Sequence, residues 1–220
     1  MHEFTTTAPI TTVLSIPAGR VRFAASLRED TVVEVLPADP AKSRDVKAAS
    51  EASVTFDDGV LRVSLEARNQ YFGPSGAVDV TVSLPAGSSV EAKAASVSLR
   101  GVGRLGDVTV SGAHGEVAFD EAASLRLTAH AGDVSIGRLT GPAEITTGKG
   151  DIRIAEAASG DLVLSTQAGN IEVGAAAGVS ASLDAGTTYG RIRNALKNEG
   201  TAGLRIQATT AYGDIDAHSV

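Results

Sequence analysis

The chain has 220 residues, a net charge of −7, 43% hydrophobic and 4% aromatic content, and no cysteine. Its hydrophobic fraction excludes a disordered chain, and the missing cysteine excludes a disulfide framework and thiolate metal sites. The acidic balance argues against nucleic acid as partner, because phosphate binding needs a basic surface.

The elements expected along the first 85 residues are mostly strands. Apolar and polar residues alternate over 12–16, 21–23, 32–35, 60–63 and 78–82, the period-two signature of a half-buried strand. The segment 38–53 carries Lys42, Arg44, Asp45 and Lys47 and reads as a loop or a short helix; 66–76 reads as an enlarged loop. Met1-His2-Glu3-Phe4-Thr5-Thr6 has neither the basic region nor the apolar core of a secretory signal, and no run of about 18 apolar residues follows, so the expected location is the cytoplasm, with no transmembrane helix.

Six of the seven prolines lie in the first 85 residues, and 20 of the 24 glycines lie after them. The glycines follow a repeat. Gly115-Glu116-Val117-Ala118-Phe119 returns as Gly132-Asp133-Val134-Ser135-Ile136, Gly150-Asp151-Ile152-Arg153-Ile154 and Gly169-Asn170-Ile171-Glu172-Val173, with weaker copies at Gly190 and Gly213. The spacings are 17, 18, 19, 21 and 23 residues. A second alternating stretch, such as Leu162-Val163-Leu164-Ser165-Thr166, sits between successive copies. Two short strands and two turns cannot bury a face alone, but stacked repeats can. The expected fold is therefore all-β: a right-handed single-stranded parallel β-helix, or β-solenoid, forming one domain over 1–220. Residues 1–85 would make larger irregular coils and a cap, and 86–220 the regular coils with two short strands each.

Stacking in chain order predicts two aliphatic inward columns. One is Val117, Val134, Ile152, Ile171, Ile192, Ile215; the other is Leu127, Ile145, Leu164, Leu183, Ile206. It also predicts an outward column of alternating charge, Arg153, Glu172, Arg193, Asp216, in which opposite neighbours help. On this register the corner before Gly190 and Gly213 is two residues longer than the others, and Tyr189 and Tyr212 sit in it.

The motifs Ala18-Gly19-Arg20-Val21-Arg22, Val80-Thr81-Val82-Ser83-Leu84-Pro85-Ala86-Gly87-Ser88, Tyr189-Gly190-Arg191-Ile192-Arg193-Asn194 and Ala211-Tyr212-Gly213-Asp214-Ile215 resemble a bacterial adhesin-type β-strand-repeat family. This is domain of unknown function family 4097, which is toastrack-like, here of the actinobacterial type. The resemblance covers nearly the whole chain. It implies a β-helix, no established reaction, no catalytic residues, and by analogy a sensing or scaffolding role in an envelope-stress or regulatory setting.

Candidate interaction residues follow from the columns. Asp133 and Asp151 stack outward on adjacent repeats. They read as turn residues accepting backbone N–H bonds, with a calcium or glycan site on the acidic column as the competing reading. Tyr189 and Tyr212 read as an aromatic ladder closing one end, or as a platform for a sugar or a peptide. His2, His114, His130 and His218 lack the spacing of a zinc site, and no catalytic, cofactor-binding or metal-binding set stands out. The last strand, with Asp214 and Asp216 as its only blunting charges, reads as an open edge. The expected function is a non-enzymatic interaction or scaffold module with a protein partner, or self-association through the C-terminal edge as a two-fold dimer. A polysaccharide-binding or polysaccharide-cleaving protein using Asp133 and Asp151 is the alternative.

Overall fold

The computed structural model describes residues 1–65 and 76–220; the expected loop over 66–76 falls almost wholly outside them. The described residues form seventeen strands in one sheet and one helix. The fold is all-β and the sheet does not close.

At the N-terminal end the strands are β1 (His2–Thr5), β2 (Thr11–Ser26), β3 (Asp30–Pro37), β4 (Ser53–Asp57), β5 (Val60–Ser64) and β6 (Val78–Pro85). Strands β5 and β6 pair parallel with β2, matching Val63 to Leu14 and Val80 to Val21. Outside them the direction reverses: β3 pairs antiparallel with β6, β1 with β3, and β4 with β5. The β4–β5 turn is Asp58-Gly59 with φ of 47° and 74°, the positive pair that a two-residue hairpin turn requires. Helix α1 (Ser43–Glu51) settles the 38–53 segment. It is anchored by Asp45, 4% exposed, whose carboxylate accepts the Ala77 N–H at 3.0 Å.

The centre is built from β7 (Ser89–His114), β8 (Val117–Ala131), β9 (Val134–Leu139), β10 (Ala143–Lys149), β11 (Ile152–Ala157), β12 (Gly160–Ala168) and β13 (Ile171–Ala175). Each repeat lies parallel on the one before it. Leu127, Ile145 and Leu164 are in register, as are Val134, Ile152 and Ile171. The expected inward set of Val134, Ile136, Ile152, Ile154, Ile171 and Val173 is buried. The recurrent glycine has a steric cause. Gly150 has a φ of +132°, and a Cβ there would lie 2.2 Å from the carbonyl oxygen of Gly132. Only glycine lets the corners of successive repeats approach this closely.

The last two repeats are interchanged relative to chain order. They comprise β14 (Ala181–Tyr189), β15 (Ile192–Ala195), β16 (Leu204–Tyr212) and β17 (Ile215–Ser219). Strand β16 pairs parallel with both β12 and β14, and β17 with both β13 and β15. The final repeat is therefore inserted beneath the one that precedes it, and β14–β15 forms the outer edge.

Three expectations change as a result. The C-terminal strand is not an edge, so Ile215-Asp216-Ala217 has no unpaired side on which to self-associate. The outward charges run Arg153, Glu172, Asp216, Arg193 and do not alternate. Glu172 and Asp216 adjoin, each with an arginine on its other flank, at 3.3 Å from Arg153 and 3.9 Å from Arg193. Finally, Leu183 and Ile206 align with Leu162, while Ala185 and Ala208 align with Leu164. This two-residue slip keeps every side chain on its face, so alternation alone does not detect it. Thr166, Thr210 and Thr187 now share a level, each three residues before its glycine, and the corner is not widened.

The interchange has a physical cause in Asn194, which occupies an inward position opposite Ala217. Stacked in chain order, it would lie buried between Val173 and Ala217. A buried amide without a partner costs roughly 1–3 kcal/mol. At the outer edge Asn194 is exposed, and Ile215 and Ala217, each 1% exposed, fill the interior.

Candidate interaction surface

Eight residues of one inward column lie within 2% of full burial: Val80, Val21, Leu99, Val117, Val134, Ile152, Ile171 and Ile215. The ninth and outermost, Ile192 on β15, is 46% exposed. Leu183 and Ala185 on β14 are half-buried, as is Leu196, which packs against the end of the core. Among the described residues β15 pairs only with β17, and β14 only with β16, leaving one side of each without a strand partner. The segment after β15 is tied back at Lys197 N–H to Ser219 Oγ (2.9 Å) and at Glu199 N–H to Ser180 Oγ (3.0 Å). Sequence reasoning missed this edge. The signal that identifies it is Asn194 standing in an otherwise apolar inward column.

Tyr189 and Tyr212 flank the same edge. Their rings stack with centroids 5.1 Å apart and planes 7° apart, and they are 64% and 61% exposed. They extend the corner position held by Ala168. The level is set by threonines: the Thr166 hydroxyl donates to Gly150 O, Thr210 to Gly169 O and Thr187 to Gly213 O, at 3.0–3.1 Å.

Asp133 and Asp151 belong to a ladder of side chains accepting main-chain N–H bonds. Asp151 N–H donates to Asp133 Oδ1 at 2.9 Å, and Asn170 N–H to Asp151 Oδ1 at 2.7 Å. Asp214 N–H then donates to Asn170 Oδ1 at 2.8 Å, and Arg191 N–H to Asp214 Oδ1 at 2.9 Å. The interchange keeps this ladder continuous, because Arg191, which offers no acceptor, falls at its end. Asp216 lies between Arg193 and His218, whose Nδ1 is 3.3 Å from its carboxylate. Among the described residues no group of three or more His, Cys, Asp or Glu is placed to hold a metal ion.

Elsewhere the outward face carries ion pairs between neighbouring repeats. Arg205 on the inserted repeat forms a two-pronged pair with Asp161 on the adjacent β12, at 2.6 and 3.2 Å. These hydrogen bonds hold the Asp161 carboxyl below its ordinary value and push the arginine up. Arg20 forms a two-pronged pair with Asp79 and lines a shallow trough of about 600 Å³ together with Arg22 and Arg100. No helix among the described residues is long and apolar enough to cross a membrane.

An open all-β sheet of stacked repeats with an uncovered end defines a class of repeat proteins. The chain belongs to the toastrack DUF4097 family, whose model matches residues 16–219. No curated protein matches it. A solved "putative adhesin" from Bacteroides fragilis is 14% identical over 98% of this chain and 95% of its own, with a TM-score of 0.51, and shares the fold. A "putative cell adhesion protein" from Clostridium sporogenes matches at 10% identity and a TM-score of 0.40, covering 100% of this chain and 98% of that one. A "putative lipid binding protein" from Parabacteroides distasonis matches at 10% identity and a TM-score of 0.37, covering 100% and 95%.

Proposed function

We propose that the chain is a non-enzymatic interaction module: a right-handed parallel β-helix that offers its uncovered end, β14–β15 with the tyrosine pair, to a protein partner. The observation that carries this reading is Ile192, 46% exposed at the end of a column otherwise buried to within 2%. A sheet edge beside exposed apolar and aromatic side chains is what strand addition uses, with main-chain bonds supplying affinity and side chains specificity. Membership of a family with adhesin-described structural relatives is in keeping with binding as its role. The glycan or cation reading of Asp133 and Asp151 is less favoured, since a carboxylate oxygen of each is engaged by a backbone N–H.

The test is selection of a displayed random-peptide library on the folded chain, with Ile192→Lys as counter-target. The expected result is a set of peptides that bind the wild type and lose binding to the variant. Peptides that bind both proteins alike, or no binders at all, would remove the edge as the site.

A further inference from the structure

We infer that the free side of β15 receives an extended protein segment carrying an acidic–apolar–acidic triplet, and that this segment is not a second copy of β15. The inference rests on the interaction reading above and names the chemistry of the partner.

The inner side of β15 already displays the match. Arg191-Ile192-Arg193, the start of β15 with the residue before it, lies in parallel register with Asp214-Ile215-Asp216 at the start of β17. Isoleucine meets isoleucine on the inward face. On the outward face, Arg193 Nη1 is 3.9 Å from Asp216 Oδ2, and the Arg191 main-chain N–H donates to Asp214 Oδ1. The Arg191 side chain has no ion-pair partner among the described residues. The outer side of Arg191-Ile192-Arg193 carries the same alternation but faces no strand among the described residues. An incoming strand with carboxylates at positions i and i+2 would face both arginines, and an apolar residue at i+1 would cover Ile192. Opposite charges on neighbouring strands stabilise, and like charges directly opposite destabilise.

The same rule excludes self-pairing. Antiparallel pairing of two β15 strands with inward faces matched centres on residue 191, 192, 193 or 194. Centring on 191 or 193 sets that arginine against its own copy. Centring on 192 sets Arg191 against Arg193 twice. Centring on 194 carries Ile192 past the partner's strand, which ends at Ala195. Every register that sets Ile192 against the partner's β15 opposes two cations.

The experiment uses fluorescein-labelled peptides of roughly ten residues, about a strand and its flanks. They centre on Glu-Ile-Glu, Gln-Ile-Gln or Lys-Ile-Lys, and binding is read by anisotropy against the full chain, Arg191→Glu, and Arg191→Glu/Arg193→Glu. The Glu-Ile-Glu peptide should bind the wild type about tenfold tighter than the Gln-Ile-Gln peptide, the scale of one charge-assisted contact. The preference should pass to Lys-Ile-Lys on the double variant and weaken on the single one. Arg191→Glu alters no ion pair among the described residues, so it keeps the test open if the double variant unfolds. Equal binding of all three peptides, or a preference that charge reversal does not move, overturns the inference. Library peptides that need Ile192 but lack acidic residues would overturn it while leaving the interaction reading intact. Dimerisation abolished by Ile192→Lys in sedimentation would overturn it in favour of a second copy.

Discussion

The two ends of the stack meet the same problem differently. At the N-terminal end the strand direction reverses, and β3, β1 and helix α1 lie over the last parallel repeat. Val33 there is fully buried, the buried Thr6 and Thr31 hydroxyls bond each other at 2.9 Å, and Phe4 packs on Phe56 with centroids 5.2 Å apart. At the opposite end the outermost repeat keeps the parallel direction and leaves Ile192, Tyr189 and Tyr212 exposed. Both ends depart from chain order: β2 lies inside β5 and β6, and β17 inside β15. Only one departure is followed by a cover. A repeat stack needs atypical ends to hide strand edges, so an end left uncovered is the place where binding costs least in rearrangement.

The comparison breaks most completely if the last repeats stack in chain order. Ser165 and Thr209 are direct neighbours, with hydroxyl oxygens 3.2 Å apart. A Ser165→Cys/Thr209→Cys variant, in a chain without native cysteine, should therefore oxidise to an intramolecular disulfide that speeds migration on a non-reducing gel. Ser165→Cys/Gly186→Cys should not, because β16 separates those positions. Efficient closure of the second pair and failure of the first would restore the sequential order.

The next largest effect contrasts the two levels of one column. Ile152→Asp places a carboxylate at a fully buried site and should cost several kcal/mol, enough to abolish cooperative folding. Ile192→Asp at the open end should cost about 1 kcal/mol or less. Denaturant unfolding of both variants measures the difference, and equal losses would contradict an open end. Glycines sharpen the same contrast. Gly150→Ala forces a Cβ against the Gly132 carbonyl at a positive φ, whereas Gly186 on β14 has open space around it. The first should lose about 1–3 kcal/mol and the second about 0.5 kcal/mol or less; a neutral Gly150→Ala would remove the corner argument.

The smallest effect is a pH dependence. Hydrogen bonds from Arg205 to Asp161 and from Arg28 to Asp30 hold those carboxyls below their ordinary value of 3.8, and the Ala41 N–H does the same for Asp39. A carboxylate whose folded value is depressed adds stability above its unfolded value and loses it as the pH falls through the folded one. Stability should therefore be level above about pH 5 and decline below pH 4. Asp161→Asn should flatten part of that decline, and an unchanged acid profile would show that the pair between β12 and the inserted repeat adds nothing.

Much of this architecture was legible in the residues. The alternation in 162–166 and the glycine before each pentad placed strands and corners, and the inward isoleucines followed from period two. Asp133 and Asp151 accept backbone N–H bonds, but from the next repeat and not within their own turns. The stacking of Tyr189 on Tyr212 was also readable, since both precede a pentad glycine.

What the chain determined by itself was which residues face inward, because strand side chains alternate whatever their neighbours are. Which repeat lies beside which was settled only by contacts between the folded repeats. A two-residue slip and an exchange of the last two repeats both preserve alternation, and both set aliphatic on aliphatic. The outward charges even favour the order that does not occur. The balance turns on groups whose energy depends on the adjacent level: Asn194, which must reach water, Arg191, which ends the acceptor ladder, and three threonine hydroxyls, each bonded to the glycine of the neighbouring repeat. A hydrogen bond or a desolvation cost has no value until its neighbour is known, so the order of the repeats, and with it the exposed edge, appears only in the folded molecule.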